Sequence, residues 1–137
     1  GAEVNLQSSS GYTALMYAAE NGRERVVELL MRHGAEINQR NSDGGTALMG
    51  AAYSGHLAVV LRLLRAGADT KARAADGRSA LQIAKEGAAK VLATADAVSA
   101  PEADHAGCVR ALTAHAAALR EAEAAEKAAE KAREAKG

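Results

Sequence analysis

Gly34-Ala35-Glu36-Ile37-Asn38 has two counterparts in the same chain, Gly1-Ala2-Glu3-Val4-Asn5 and Gly67-Ala68-Asp69-Thr70-Lys71, each 33 residues from the next. A second phrase keeps the interval: Thr13-Ala14-Leu15, Thr46-Ala47-Leu48 and Ser79-Ala80-Leu81. Single positions follow it too: Gly22 and Gly55, Val26 and Val59, Val27 and Val60, Leu30 and Leu63. A fixed period of this length means one supersecondary unit stacked on copies of itself.

Within one period the residues predict two helices and a turn. Thr13 offers a hydroxyl to an unpaired amide of the following turn, so it is the N-cap of a first helix running to about Asn21. Leu15, Ala18 and Ala19 give that helix one apolar stripe, and its alanines let a neighbouring helix approach closely. Gly22 ends it in a left-handed conformation. Val26, Val27, Leu30 and Met31 predict a second amphipathic helix ending at Gly34. Residues 35–45, rich in Asn, Ser, Asp and Gly around a short β-prone Glu36-Ile37-Asn38, read as an extended turn projecting from the helix layer.

Gly11-Tyr12-Thr13-Ala14-Leu15-Met16-Tyr17-Ala18-Ala19, followed by Gly22, Val26-Val27, Leu29-Leu30 and Gly34-Ala35, resembles an ankyrin repeat. The resemblance covers Gly1 to about Gln82 and implies an all-α repeat fold: an ankyrin-repeat solenoid of helix-turn-helix pairs with projecting β-turn fingers. Two features depart from the family pattern. Where its members carry Pro-Leu-His, this chain has Ala14-Leu15-Met16, Ala47-Leu48-Met49 and Ala80-Leu81-Gln82. The proline that presets the first turn and the histidine that bridges neighbouring repeats are missing, so a less rigid stack is expected.

The predicted organisation is the tail of a truncated repeat at residues 1–9, repeats at 10–42 and 43–75, a C-terminal capping repeat at 76–117 and an Ala-rich charged helical tail at 118–137. Because Gly1 aligns with Gly34, residues upstream are expected to be missing, and the N-terminal edge is expected to be the weakest part of the stack. His105-Ala106-Gly107-Cys108-Val109-Arg110-Ala111-Leu112 resembles His56-Leu57-Ala58-Val59-Val60-Leu61-Arg62-Leu63 at a distance of 49 residues instead of 33, which implies an insertion of 16. Its place is expected within residues 84–104, with the first helix of the cap prolonged through about Val98 and broken at Ser99-Ala100-Pro101. From Ala111 no helix breaker precedes Gly137, which predicts a long exposed helix. Ala118, Ala122, Ala125, Ala129 and Ala132 form a narrow candidate coiled-coil seam; like charges at Glu126/Glu130, Lys127/Lys131 and Glu130/Glu134 favour a solvated helix instead.

With 17 basic and 17 acidic side chains, the chain has no net field to draw it to nucleic acid or an anionic membrane. No apolar run approaches the roughly 18–20 residues that span a bilayer. The single Cys108 excludes an intramolecular disulfide, and no Cys/His cluster suggests zinc. The expectation is a monomer in a cytoplasmic or nuclear, reducing setting, with no cofactor and no metal. His33, His56, His105 and His115 have no nucleophilic or acidic partner at a motif spacing, so no catalytic residue is expected. To His56 and His105, at the start of second helices, the ankyrin resemblance assigns a structural role in the turn between helices. His33 is assigned one in a helix's last turn. Cys108 aligns with Val59 and reads as a small buried hydrophobe.

The resemblance implies a non-catalytic protein-interaction module whose partner contacts the turn tips and the exposed side of the first helices. Carried onto this chain, these are Ser10, Tyr12, Glu20, Asn21, Asp43, Tyr53, Ser54, Asp76, Arg78 and Lys85, with Ser9, Ser42, Gly45 and Glu86 beside them. Tyr12 and Tyr53 are the favoured anchors, with packing on the adjacent repeat as the alternative. Tyr17 is assigned to packing. The alternative function is a regulatory or targeting segment of a larger enzyme, receptor or channel. Leu30, eight residues before Asn38, completes a pattern similar to that recognised by asparaginyl hydroxylases. Asn38 is therefore a candidate for hydroxylation, against the simpler reading that its side chain bonds the local backbone.

Overall fold

A computed structural model describes residues 2–93 and 104–136. A short 3-10 turn, Ala2–Asn5, precedes α1 (Ala14–Glu20), α2 (Glu24–Arg32), α3 (Ala47–Ser54), α4 (Leu57–Arg65), α5 (Ala80–Ala93) and α6 (His105–Lys136). The helices pair as α1/α2, α3/α4 and α5/α6. In the inner row α3 lies between α1 and α5, and in the outer row α4 packs against α2 and α6. Between the pairs, two turns project as fingers at residues 41–45 and 74–78, and residues 8–12 form a matching tip before α1.

Each inner helix starts where a hydroxyl meets an orphan amide. Thr13 Oγ1 accepts from the Met16 amide at 3.3 Å and Thr46 Oγ1 from Met49 at 3.4 Å. The third copy is a reciprocal pair: Ser79 Oγ accepts from the Gln82 amide while Gln82 Oε1 accepts from the Ser79 amide at 2.9 Å. Helix ends depend on glycine at positive φ, Gly22 at +68° and Gly55 at +77°. The core is thin and aliphatic. Leu15, Ala18, Ala19, Val27, Leu48, Ala51, Ala52, Val59, Val60, Leu63, Ala84, Cys108 and Leu112 are all buried.

The stack is tied by side chains that reach across repeats. His56 Nε2 donates to the Glu20 carbonyl at 3.0 Å and His105 Nε2 to the Tyr53 carbonyl at 2.8 Å. Their rings lie over Gly22 and Gly55, where a methyl group would meet His56 Nδ1 at 2.6 Å and His105 Nδ1 at 2.7 Å. The structural role assigned to these two histidines in the turn between helices extends across repeats. Each bonds the end of the preceding inner helix and supplies a bridge between repeats that the missing Pro-Leu-His motif does not. Gln7 and Arg40 form a second ladder: each donates to the glycine carbonyl of its own turn, Gly11 or Gly44, and to the carbonyl 33 residues on, Arg40 or Arg73. Asn5 and Asn38 form a third, accepting from the Glu36 and Asp69 amides at 2.7 Å each. The reading of Asn38 as a purely local backbone partner is corrected accordingly, since its bond is to the next finger.

Lys71 stands where a third asparagine would and pairs with Glu123 on α6, which holds the Glu123 carboxyl below its usual range through that hydrogen bond. This fully exposed ion pair adds little stability by itself but marks where α6 passes the last finger. Beyond that point every residue of α6 whose side chain is described is exposed. At 1.5 Å per residue the 32-residue helix is about 48 Å long, so its turns after Glu123 run clear of the stack. α5 is prolonged to Ala93; the remainder of the expected extension to Val98 and the break at Ser99-Ala100-Pro101 lie outside the described residues. Burial, and secondarily Asp104, push the Cys108 thiol up to about 11. It is a protonated core group at neutral pH, as its alignment with Val59 implies.

Candidate functional site

The fingers and the inner helices enclose a cleft of about 360 Å³ on the concave side. Its shape follows from the local turns. Asn41 Oδ1 accepts from the Asp43 and Gly45 amides at 2.9 Å each, which folds the middle finger back toward α3. Gly44, at φ +73°, lets the backbone approach the next finger, where a methyl group would lie 2.9 Å from the Ala75 amide nitrogen. The Ala75 amide in turn donates to the Asp43 carbonyl at 2.8 Å, and the Ser42 amide to the Ser10 carbonyl at 3.0 Å, so the tips are fixed relative to one another.

The buried side chains of Met16, Met49 and Ile83 line this cleft, together with Ala74 and Gly50. Its polar and aromatic lining includes Tyr12, Glu20, Asp43, Tyr53 and Arg78. These five are among the ten positions the sequence singled out. Of the rest, Ser10 lies at the first tip, Asn21 caps α1 and donates to the Tyr17 carbonyl at 2.7 Å, and Ser54 is half-buried at the end of α3. Asp76 pairs with Arg78 at 2.6 Å, and Lys85 is exposed on α5. None of those five lines the cleft. Met16, Met49 and Ile83 were missed as site residues. Their sequence signal was present, since Met16 and Met49 occupy the family's histidine position, but it was read only as a lost bridge.

The cleft's charges are unevenly distributed. Arg78 is bound on both sides, to Glu86 and to Asp76, and these hydrogen bonds, that to Glu86 first, raise its already high pKa. The backbone amide of Arg78, ahead of its side chain, lowers that of Asp76. Lys90 donates to the Tyr53 hydroxyl at 3.0 Å, lies 5.7 Å from its ring centre, and has a raised pKa chiefly through that hydrogen bond. Among the described residues, no basic side chain lies within ion-pair distance of Glu20 or Asp43.

Tyr17 packs on one face only. Assigned to packing from the family framework, it is 49% exposed and stacks on Tyr12 with ring centres 5.0 Å apart. Its counterpart in the next repeat, Gly50, lies against Glu20 of α1. No group of three or more His, Cys, Asp or Glu suited to a metal ion occurs among the described residues, and none of their helices is long and apolar enough to cross a membrane.

Helix pairs repeated at 33 residues, joined by projecting turns and bonded in register, define a helical repeat solenoid. A family model for ankyrin repeats, in three copies, matches residues 1–74, more than half of the chain, and the protein belongs to the ankyrin repeat family. The match stops short of α5 and α6, the modified C-terminal pair. No curated protein matches the chain. Ankyrin repeats generally serve as protein–protein interaction modules and are generally non-catalytic.

Proposed function

We propose that the chain is a non-catalytic interaction module that seats a partner protein in the concave cleft, with Tyr12 and Tyr53 as anchors. The observation that carries this reading is the cleft itself: a buried thioether and aliphatic lining beside two partly exposed tyrosines, next to fingers fixed by hydrogen bonds. Rigid aromatic side chains supply contact area at low entropic cost, and flexible methionines adapt to an incoming apolar group. Ser10, Asn21, Ser54, Asp76 and Lys85 would then contribute rim contacts. A reducing cytoplasmic or nuclear setting fits the buried free thiol of Cys108.

The test is site-specific photo-crosslinking from positions 12 and 53, followed by titration of the captured protein against wild type and against Tyr12→Ala with Tyr53→Ala. At least a tenfold loss of affinity is expected of the double variant. An unchanged Kd would overturn the reading. Hydroxylation of Asn38 is a separate proposal, supported by the exposed position of that side chain. A one-oxygen mass gain at Asn38 after incubation with an asparaginyl hydroxylase tests it; no gain while a control repeat is modified would remove it.

A further inference from the structure

Two positions of the repeat lose their partners in the last layer. Leu15 and Leu48 are each 1% exposed, whereas Leu81, the third copy, is only half-buried. Gln7 and Arg40 each reach the carbonyl of the following finger, Arg40 or Arg73. Arg73 keeps the bond within its own turn, Nη1 donating to the Gly77 carbonyl at 2.8 Å, but among the described residues it reaches no further finger, since the corresponding Ala106 belongs to α6. Both side chains line one groove of about 400 Å³ between the last finger, the start of α5 and α6. Leu81, Leu112, Ala116 and Leu119 give the groove its apolar lining, and it shares no lining residue with the concave cleft. Glu123, the one carboxylate in the lining, is already held by Lys71, which ties the finger to α6 there. Arg73 and Arg120, on the same groove, have no carboxylate within ion-pair distance among the described residues. Asp69, near them in sequence, accepts from the Lys71 amide at 2.9 Å and does not line the groove.

We propose that this groove is a second docking site, apart from the concave cleft, for an extended acidic–aliphatic segment of a partner protein. The segment takes the place that the next finger takes in the inner layers. One of its oxygens accepts from Arg73, as the Arg73 carbonyl accepts from Arg40, and an aliphatic side chain covers Leu81 and Leu119. A Glu or Asp of the segment pairs with the guanidinium of Arg73 or Arg120, which can hold a carboxylate through two parallel hydrogen bonds. A basic segment is disfavoured, because it would face these two arginines while the groove's only carboxylate is already bonded.

Fluorescence anisotropy with three labelled ten-residue peptides tests this. The peptides share a central pair of leucines and differ only in carrying Glu, Ser, or Lys around them. The acidic peptide is expected to bind roughly tenfold tighter than the serine peptide, and the lysine peptide weakest. Arg73→Gln with Arg120→Gln is expected to abolish that preference without changing serine-peptide binding, and added salt to erode it in wild type only. Gln7 already makes the bond within its own turn that Arg73 makes in the last finger, so the variant keeps that bond, and circular dichroism and thermal melting verify that it folds. Leu119→Ser, at a half-buried position, is expected to weaken the acidic and serine peptides alike. Tyr12→Ala with Tyr53→Ala is expected to leave all three affinities unchanged, which separates this groove from the concave cleft. Equal binding of all three peptides, a preference for the basic one, no binding of any, or a preference that survives the arginine variant would overturn the proposal. So would loss of binding in the tyrosine variant, which would place the peptide in the cleft, or a dimer in sedimentation that occupies the groove with a second copy.

Discussion

Val26 and Val59 occupy the same position of successive repeats, one full period apart, yet Val26 is 45% exposed and Val59 only 1%. The contrast recurs elsewhere on the first layer. Ala14 is exposed and its counterpart Ala47 buried; Leu6, Tyr17 and Leu29 are exposed as well. The opposite end is closed, because α5 and the first half of α6 cover the second repeat, with Ile83, Ala84, Cys108 and Leu112 in the core. Burial in a stack is therefore a property of the interface and not of the repeat. The same side chain contributes its transfer free energy only where a neighbour excludes water.

The largest effect that would sharpen this contrast is at the closed end. Leu112→Ala, in a core position, is expected to cost about 3 kcal/mol by chemical denaturation, whereas Leu29→Ala, at 52% exposure, should cost less than about 0.5 kcal/mol. Comparable losses at the two sites would break the comparison. Next comes the matched pair. Val59→Ala is expected to lose about 2 kcal/mol and Val26→Ala under about 0.5 kcal/mol, measured as urea midpoints at unchanged m. An equal response would mean that the first layer is covered in solution, for example by a second copy, and sedimentation would then show it.

The bridges between repeats give a smaller contrast. His56→Ala removes one hydrogen bond to the Glu20 carbonyl and the ring over Gly22, with an expected loss of about 1 kcal/mol. Arg23, its counterpart in the first repeat, is exposed, so Arg23→Ala should leave the melting temperature within error. If the two substitutions act alike, the histidine does not bridge. The smallest of the paired contrasts includes an effect of the opposite sign. Gly50 lies inside α3 with room for a methyl group, which would sit 3.5 Å from Glu20 Cβ, so Gly50→Ala should stabilise by about 0.5–1 kcal/mol. Gly87→Ala, by contrast, would drive a methyl group into the Tyr53 carbonyl and should destabilise. Melting curves of the two variants decide whether the cap packs more tightly on the second repeat than the second repeat packs on the first.

Much of the concave site was legible because the turn chemistry is local. Tyr12, Glu20, Asp43, Tyr53 and Arg78 were selected from their places in the repeat, and all five line one cleft. Met16, Met49 and Ile83 were not selected, because an apolar residue at helical spacing looks the same whether it faces another helix or the bottom of a groove. Tyr17, assigned to packing, does stack on Tyr12 yet stays 49% exposed, which its place in the repeat alone did not specify.

The sequence alone determined the period, the starts and stops of the helices, the left-handed glycines and the core role of Cys108, since caps, φ preferences and apolar spacing act over a few residues. Tertiary structure alone decided which copy of each position is covered and which carboxylates stay without a basic neighbour. It also gave His56, Asn38 and Arg40 their partners, whose hydrogen bonds span 36, 31 and 33 residues. The physical reason is that a repeating sequence specifies one interface many times over, while the ends of the stack and the grooves between its layers exist only once the copies have been placed side by side.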